Sequence, residues 1–347
     1  MANQSRVTIK EIAKEAGVSR QTISRVLNNR PDVSEKTRKH IKEIIAKRNY
    51  HPSSIARGIG KGRSYILGVV SASLENYGPS NTLMGLVERA NQLEYTIILR
   101  VIHNPKDFDI DAQLRYLITQ HVDGIVWALP DMGNIRDAIL QKINQLTLPT
   151  VFVNMHAHPD LMVVDFNNQS GGQIATQHLI DQGYKNIGII TGPMDWMVSR
   201  HRYRGWKKAL EIASLPTNDQ QVVAGDWSCT SGKEGMQRLL KQFSKMDAVF
   251  ACNDRMALGA MRMAGNLGIR IPNDLAMVGY DDIPEANFFT PSLTTIRQDN
   301  KEPAFLAVDM VNKLIIEAEE DEKTIKPDTH LFAPQLIVRE SSAIKLN

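Results

Sequence analysis

Between residues 66 and 279 the chain alternates short apolar runs with longer amphipathic ones, and this alternation limits the possible folds more than any other feature of the sequence. Ile66–Val70, Thr96–Val101, Gly124–Leu129 and Thr150–Val153 read as strands, with helices near Thr82–Leu93, Asp109–Gln120 and Ile135–Leu146. The rhythm restarts at Met162–Val164. It then runs through Gly172–Gln182, Ile187–Thr191, Arg202–Ile212, Val222–Ala224, Gly232–Phe243, Ala248–Ala251, Met256–Leu267 and Ala276–Gly279. Two successive blocks of strand–helix alternation predict an α/β body of two doubly wound lobes with a cleft between them.

A body of this kind leaves the first 63 residues unexplained, and their charge sets them apart. They hold 15 Lys and Arg against 5 Asp and Glu, a net of +10, whereas the whole chain carries only +3. A basic head on an acidic body predicts a polyanionic partner for the head alone. At 42% hydrophobic and 23% charged residues the composition is that of an ordinary globular protein. No run of about 18 apolar residues is long enough to cross a membrane. The N-terminus has no apolar signal-peptide core, so a cytoplasmic location is expected. Cys229 and Cys252 have no metal-ligand spacing. A disulfide and two free thiols both remain open, and a reducing compartment favours the thiols.

Within the head, Thr8 followed by Glu11 is a capping-box pattern that starts a first helix with Ile9, Ile12, Ala13 and Ala16 on its apolar stripe. Gly17 permits a tight turn, and Ser19 caps a second helix whose Ile23, Val26 and Leu27 share one face. Arg20, Gln21, Thr22, Ser24 and Arg25 crowd the other. Two short helices joined by a glycine turn describe a helix-turn-helix. Ser34 caps a third helix to about Lys47. An Arg/Gln/Ser/Thr front suits a DNA major groove, because Arg can grip guanine in two places and Gln adenine, while small hydroxyls hold phosphates.

Thr8–Tyr50 resembles the headpiece of the lac repressor (LacI/GalR-type) family of transcription regulators. The residues that carry the resemblance are Thr8-Ile9-x-x-Ile12-Ala13, Ala16-Gly17-Val18-Ser19, Thr22-Ile23-Ser24-Arg25-Val26-Leu27-Asn28, Val33-Ser34-x-x-Thr37-Arg38 and Asn49-Tyr50-x-Pro52. The resemblance implies that Arg20, Gln21 and Arg25 read base edges and that Ser19, Thr22, Ser24, Asn28 and Ser34 hold phosphates. It also implies that Ile59, in the glycine-rich linker, wedges into the minor groove from a hinge helix that forms on DNA. Gly58 and Gly60 flank Ile59 and weaken a helix there by about 1 kcal/mol each, so the hinge is expected to order only on DNA.

The resemblance continues through Ser199-Arg200-x-Arg202-x-x-Gly205, Gly225-Asp226-Trp227-Ser228, Asn253-Asp254-x-Met256-Ala257-x-Gly259, Gly279-Tyr280-Asp281-Asp282 and Leu293-Thr294-Thr295-Ile296-x-Gln298-Asp299. It implies an all-α helix-turn-helix headpiece (1–51), a hinge (52–63) and a periplasmic-binding-protein-like body of two lobes (64–347). The expected first lobe is about 64–163 with 293–325, and the second about 164–292 with 326–345. By position, Pro79, Asn154, Phe166, Arg202, Trp227, Asn253, Asp281 and Gln298 are the expected effector contacts. Gly225–Ser228, Phe166 and Pro79-Ser80 are more similar to the lac repressor than to its purine-responsive relatives, which implies a small carbohydrate, a galactoside among them; a purine or other metabolite is the alternative. Two positions depart from the pattern: Asn154 replaces an acidic residue, and Val126–Pro130 lacks a polar one.

Arg202 with Asp281 also reads as a structural ion pair, Trp227 as a surface aromatic, and Trp127 as core. His156, His158 and His201 are too scattered in sequence to argue a metal, and of Asp281-Asp282 only the first has positional support. No catalytic residue, metal or cofactor is expected. An enzyme on a nucleotide-binding fold needs a Gly-x-Gly-x-x-Gly, Walker, Gly-x-Ser-x-Gly or His-Glu-x-x-His motif, and none occurs. A periplasmic sugar-binding protein would carry an export signal and no helix-turn-helix. The expectation is a repressor that binds near-palindromic double-stranded operator DNA as a homodimer under allosteric control. No leucine heptads follow the body, which favours a dimer over a tetramer.

Overall fold

The computed structural model describes residues 7–27, 30–50, 63–103, 108–132, 135–142, 147–319 and 326–343. Two compact units divide the chain at Tyr65 and Ile66.

The first unit is three helices, α1 (Ile9–Glu15), α2 (Arg20–Leu27) and α3 (Glu35–Lys47). The capping box forms at α1: the Thr8 N–H donates to Glu11 Oε2 at 2.7 Å, and the Glu11 N–H donates to Thr8 Oγ1 at 3.4 Å. That bond, from Thr8 to the Glu11 carboxylate, holds the carboxyl below its ordinary range. Gly17 takes φ +65°, a left-handed turn that a side chain disfavours. Ile12, Ala13, Ala16, Ile23, Val26, Ile41, Ile44 and Tyr50 close into one small core. A core this small is marginal alone.

The second unit contains β1 (Ile66–Ala72), α4 (Tyr77–Gln92), β2 (Thr96–Ile102), α5 (Ile110–Thr119), β3 (Gly124–Ala128), α6 (Ile135–Lys142), β4 (Thr150–Val153) and β5 (Val163–Phe166). It goes on through α7 (Asn168–Asp181), β6 (Ile187–Thr191), α8 (Met197–Ile212), β7 (Val222–Ala224), α9 (Cys229–Gln242), β8 (Ala248–Ala251), α10 (Asp254–Asn266) and β9 (Ala276–Asp281). It ends with β10 (Thr294–Arg297), α11 (Lys301–Glu319), β11 (Thr329–Phe332) and β12 (Gln335–Ile337).

Two six-stranded sheets result, ordered β11-β5-β4-β3-β1-β2 and β12-β10-β9-β8-β6-β7. All pairings are parallel except β10 with β12. Each sheet is doubly wound, reversing direction after its second strand, and such sheets take ligands outside their strand carboxyl ends. Trp127 and Phe152 stack at 6.5 Å inside the first lobe, so Trp127 is core.

The chain passes between lobes three times, at Phe166–Asn168, Gln298–Asn300 and Ala333–Pro334, and these crossings differ from expectation. The run at Met162–Val164 was expected to open the second lobe, but β5 pairs with β4 and closes the first sheet. The stretch from 293 was expected in the first lobe, but β10 pairs with β9 in the second. β11 was expected in the second lobe, but it pairs with β5 in the first; β12 does join the second. Local periodicity identifies a strand and says nothing about which open edge it will fill.

In the second lobe α7 and α8 pack at backbone contact. A Cβ on Gly172 would stand 2.2 Å from the Arg202 carbonyl oxygen, and one on Gly205 2.1 Å from that of Gln169. Glycine at both positions brings α8, and with it Arg202, against the start of α7. Cys229 and Cys252 are free thiols.

Candidate functional site

In the head, Ile23 and Val26 are buried, and Arg20, Gln21 and Arg25 are exposed on the opposite arc of α2, with Ser24 half-buried between them. The Ser19 hydroxyl accepts from the Thr22 N–H at 3.1 Å and lies 3.0 Å from the Thr22 hydroxyl. Ser34 does the same for Thr37, at 3.2 and 2.8 Å. Both serines are therefore helix caps, and each hydroxyl keeps one O–H that can donate to a phosphate oxygen. Arg25 pairs with Asp32 at 3.3 Å, both about half-exposed. Asn28 and Ile59 lie outside the described residues.

In the body, a cleft of about 790 Å³, its mouth included, opens at the carboxyl ends of both sheets, and all eight expected effector residues line it. Strand ends explain the convergence. Asn154 follows β4, Phe166 ends β5, Asn253 follows β8, Asp281 ends β9, and Gln298 follows β10. Trp227 lies beyond β7, and Pro79 and Arg202 stand near the starts of α4 and α8. Asn154, Trp227 and Asp281 have φ of +62°, +75° and +110°. Left-handed backbone at non-glycine residues is strained, and three such positions round one cavity mark where the fold gives up local comfort to aim side chains.

Arg202 is the fixed point of the cleft. It is only 5% exposed. Its Nε donates to Asn168 Oδ1 at 3.0 Å and its Nη2 to Gln298 Oε1 at 3.4 Å, while Nη1 donates to the Cys252 carbonyl. Nη1 also stands 3.7 Å from Asp281 Oδ1. The guanidinium lies 3.5 Å from the Tyr280 ring centroid, a cation–π contact. The structural ion pair and the cleft position thus belong to the same two residues. Burial pushes the Asp281 carboxyl up to about 6, with Arg202 opposing it. Asp282 turns away to Arg297 and Arg339, at 2.6 and 2.7 Å.

Asn253 caps α10 by accepting from the Met256 N–H at 2.8 Å, and its Nδ2 donates to the Trp227 carbonyl at 3.1 Å. Trp227 is 7% exposed and buried, meeting Trp196 edge-on at 5.7 Å.

Sequence reasoning missed several lining residues: Tyr77, Asp131, His156, Asp165, Asn168, His201 and Asn300. Asn168 is a hub: its Oδ1 accepts from Arg202, Gln298 and Tyr280, at 3.0, 3.2 and 3.3 Å. Asp131 follows directly on Val126–Pro130 and supplies a carboxylate to the cleft. His156 and His201, far apart in sequence, meet at 5.1 Å. Burial holds both below the usual histidine range, His201 at about 4, and they are neutral near pH 7. Asp165 had a visible signal, a charged residue inside the apolar run Val163–Phe166. Among the described residues no cluster of His, Cys, Asp and Glu is set to hold a metal, and no helix is long and apolar enough to cross a membrane.

Comparison with known proteins agrees with both parts of this description. Residues 8–53 match the bacterial regulatory proteins of the lacI family, and residues 176–342 match the periplasmic binding protein-like domain. The HTH-type transcriptional repressor PurR of Actinobacillus pleuropneumoniae serotype 3 (strain JL03) is 33% identical over 336 residues, 96% of this chain and 98% of the relative. PurR of Proteus mirabilis (strain HI4320) is 33% identical over 338 residues, 97% of each chain. Among solved structures, the lac repressor dimer bound to operator and the anti-inducer ONPF is similar over 98% of this chain and 100% of its own, at 28% identity and a TM-score of 0.83. The transcriptional regulator CelR–cellobiose complex covers 97% and 100%, at 28% identity and a TM-score of 0.68. On the matched headpiece and these near full-length relatives, the chain belongs to the bacterial lacI family and is a DNA-binding transcriptional repressor.

Proposed function

We propose that this repressor's operator affinity is set by a small polar metabolite bound between the two lobes, a purine or another metabolite rather than a galactoside. The observation that carries the reading is the lined cleft itself. A guanidinium with every donor group engaged, carboxylates and aromatic faces from both lobes surround one cavity of ligand size. The relatives' shared name, PurR, favours the purine alternative over the galactoside that the cleft motifs put first. A carbohydrate is the second reading. It is favoured by the cellobiose complex among the structural neighbours and by the mixture of amide, carboxylate and indole in the cleft, which suits hydroxyl pairs and a ring face.

In this proposal Arg20, Gln21 and Arg25 read bases, the hydroxyls of Ser19, Thr22, Ser24 and Ser34 hold phosphates, and Asn28 and Ile59 complete the contact. Two copies pair through their bodies in the cytoplasm and address the halves of a near-palindrome. Pro79, Asn154, Phe166, Arg202, Trp227, Asn253, Asp281 and Gln298 hold the effector, and the two arginine-linked residues Asn168 and Gln298 keep the guanidinium still. The protein catalyses nothing in this reading; its output is a change in DNA affinity.

A thermal-shift screen of purine bases, galactosides and glucosides on the full chain tests it, since a ligand that binds only the folded state raises the melting temperature by mass action. A purine base that raises the melting temperature and changes affinity for selected operator DNA supports the reading. A compound that raises the melting temperature with no effect on DNA binding removes the cleft from control.

A further inference from the structure

We propose that the effector carries a phosphate monoester, seated at the rim of the cleft between Arg136 and His156 of the first lobe and Arg200, His201 and Arg204 of the second. This rests on the cleft being the effector site, and within the purine reading it makes the effector a purine nucleotide. Basic side chains from both lobes converge here. His156 lies between β4 and β5 and His201 on α8; both line the cavity, and their rings stand 5.1 Å apart. Arg136, on α6, and Arg204, on α8, are both close enough to act on the charge of His156, and Arg200 and Arg204 on that of His201.

The cluster is short of acid. Asp131 stands 3.8 Å from Arg136 Nε and accepts the His156 N–H at 3.2 Å. Its one charge faces three guanidiniums. Arg136 Nη2 donates to the Ala157 carbonyl at 3.4 Å, and Arg200 Nη1 to the Met194 carbonyl at 2.8 Å. Arg204 is exposed, and among the described residues neither it nor Arg200 has a carboxylate at ion-pair distance. The next basic residue along α8 does have one: Lys207 lies 3.9 Å from Glu211. Asp165 and Asp281, elsewhere in the cleft, have Arg202 as their counter-charge. Burial first, and the neighbouring arginines with it, keeps both histidines neutral near pH 7. A surplus of positive charge at the mouth of a cleft draws in and holds an anion.

A second feature points independently to an anion. α8 is 16 residues long, and Trp196, its N-cap residue, makes no side-chain cap. An indole has no acceptor to offer the first-turn N–H groups. The other long helices of this lobe are capped, α7 by Asn167, α9 by Ser228 and α10 by Asn253. The uncapped turn opens on the cavity, which Trp196, Met197 and Val198 line. Met197, His201 and Arg204 recur at helical spacing, so the helix start and two of the basic side chains share one face. Helix N-termini carry partial positive charge and unpaired donors, and phosphate complements both. The lobes already touch at this point: the Met197 N–H donates to the Asp131 carbonyl at 2.8 Å, and Met132 pairs with Trp196. A phosphate held from both sides would clamp that contact.

The test is a thermal-shift measurement on the full chain at pH 7. GMP, AMP and glucose 6-phosphate are set against guanosine, adenosine and glucose, with hypoxanthine and inorganic phosphate alone alongside. A monoester is expected to act at a concentration at least about tenfold below that of its unphosphorylated counterpart. Arg200→Gln and Arg204→Gln together are expected to abolish that preference. If glucose 6-phosphate acts and the nucleotides do not, the phosphate stands and the purine falls. Hypoxanthine or a nucleoside acting as well as the monoesters overturns the phosphate and leaves the effector reading intact. Inorganic phosphate acting as well as any ester overturns the proposal in favour of a free ion. A preference that survives in the double variant assigns the phosphate to another basic surface, such as the head, and also overturns it. If no compound acts, the proposal and the effector reading both fall.

Ligand-free melting guards against a variant that merely misfolds. Neutralising two guanidiniums that lack carboxylate partners should keep the melting temperature within about 3 °C of the parent chain or raise it. A larger fall means that the arginines already have their counter-charge within the protein, and overturns the proposal.

Discussion

Arg25 and Trp227 illustrate how single side chains divide the work. Arg25 leans on Asp32 at 3.3 Å across open solvent, a pairing of the kind that contributes about 0.2–1 kcal/mol. A bidentate grip on guanine discriminates by about 1–3 kcal/mol, so DNA can take Arg25 from Asp32. Arg25→Ala is therefore expected to erase discrimination between a selected operator and random DNA in a competition titration. Retained discrimination removes Arg25 from the reading set. Trp227 is buried against Gly192 and Trp196 and holds one wall of the cleft. Trp227→Ala should weaken the effector at least about tenfold, a loss of about 1.4 kcal/mol, and leave operator binding without ligand nearly unchanged. Equal loss of both would assign Trp227 to folding.

Among the elements, the contact between α7 and α8 is the one most sensitive to a single methyl group. A Cβ at Gly205 meets backbone on α7, where no side chain can swing away. Gly205→Ala should cost about 1–3 kcal/mol of stability in denaturant unfolding, and should also weaken the effector because Arg202 moves with α8. Unchanged stability would mean that the helices separate freely. Most elements were legible in the sequence because each carried its own periodicity: α5 was expected at Asp109–Gln120 and lies at Ile110–Thr119, and β8 matches at Ala248–Ala251. The crossings were not legible. β5, β10 and β11 are only four residues each, and their lobe is decided by edges far away in sequence. The site was legible where a residue type and a strand end coincide, as at Asn253 and Asp281. It was not legible at Asn168, whose importance lies in three donors brought to it from α8, β9 and the segment after β10.

At the scale of the whole molecule, the chain joins a strongly basic head to a body that holds several buried acids. Asp254 adds to Asp165 and Asp281: burial, helped by the charge of Asp281, lifts its carboxyl well above the ordinary range, while the Thr295 hydroxyl and the Ile283 N–H donate to it at 2.6 and 2.9 Å. A carboxyl raised on folding binds its proton more tightly in the folded state. Its contribution is therefore favourable at low pH and is lost as pH rises from about 4 through the raised value. Asp254→Asn keeps the group neutral, so the melting temperature should vary less between pH 5 and pH 8 than in the parent chain. An equal or steeper dependence would show that Asp254 is ionised in the folded protein.

The central claim is that the cleft and the head share one free energy. Linkage makes the most direct test a reciprocal one. The affinity of the full chain for its selected operator is measured with and without the compound that most raises its melting temperature, and the affinity for that compound is measured with and without the operator. The account predicts that both change by the same factor, about 5–150-fold. A compound that binds the cleft with the same affinity whether or not operator DNA is bound would contradict it.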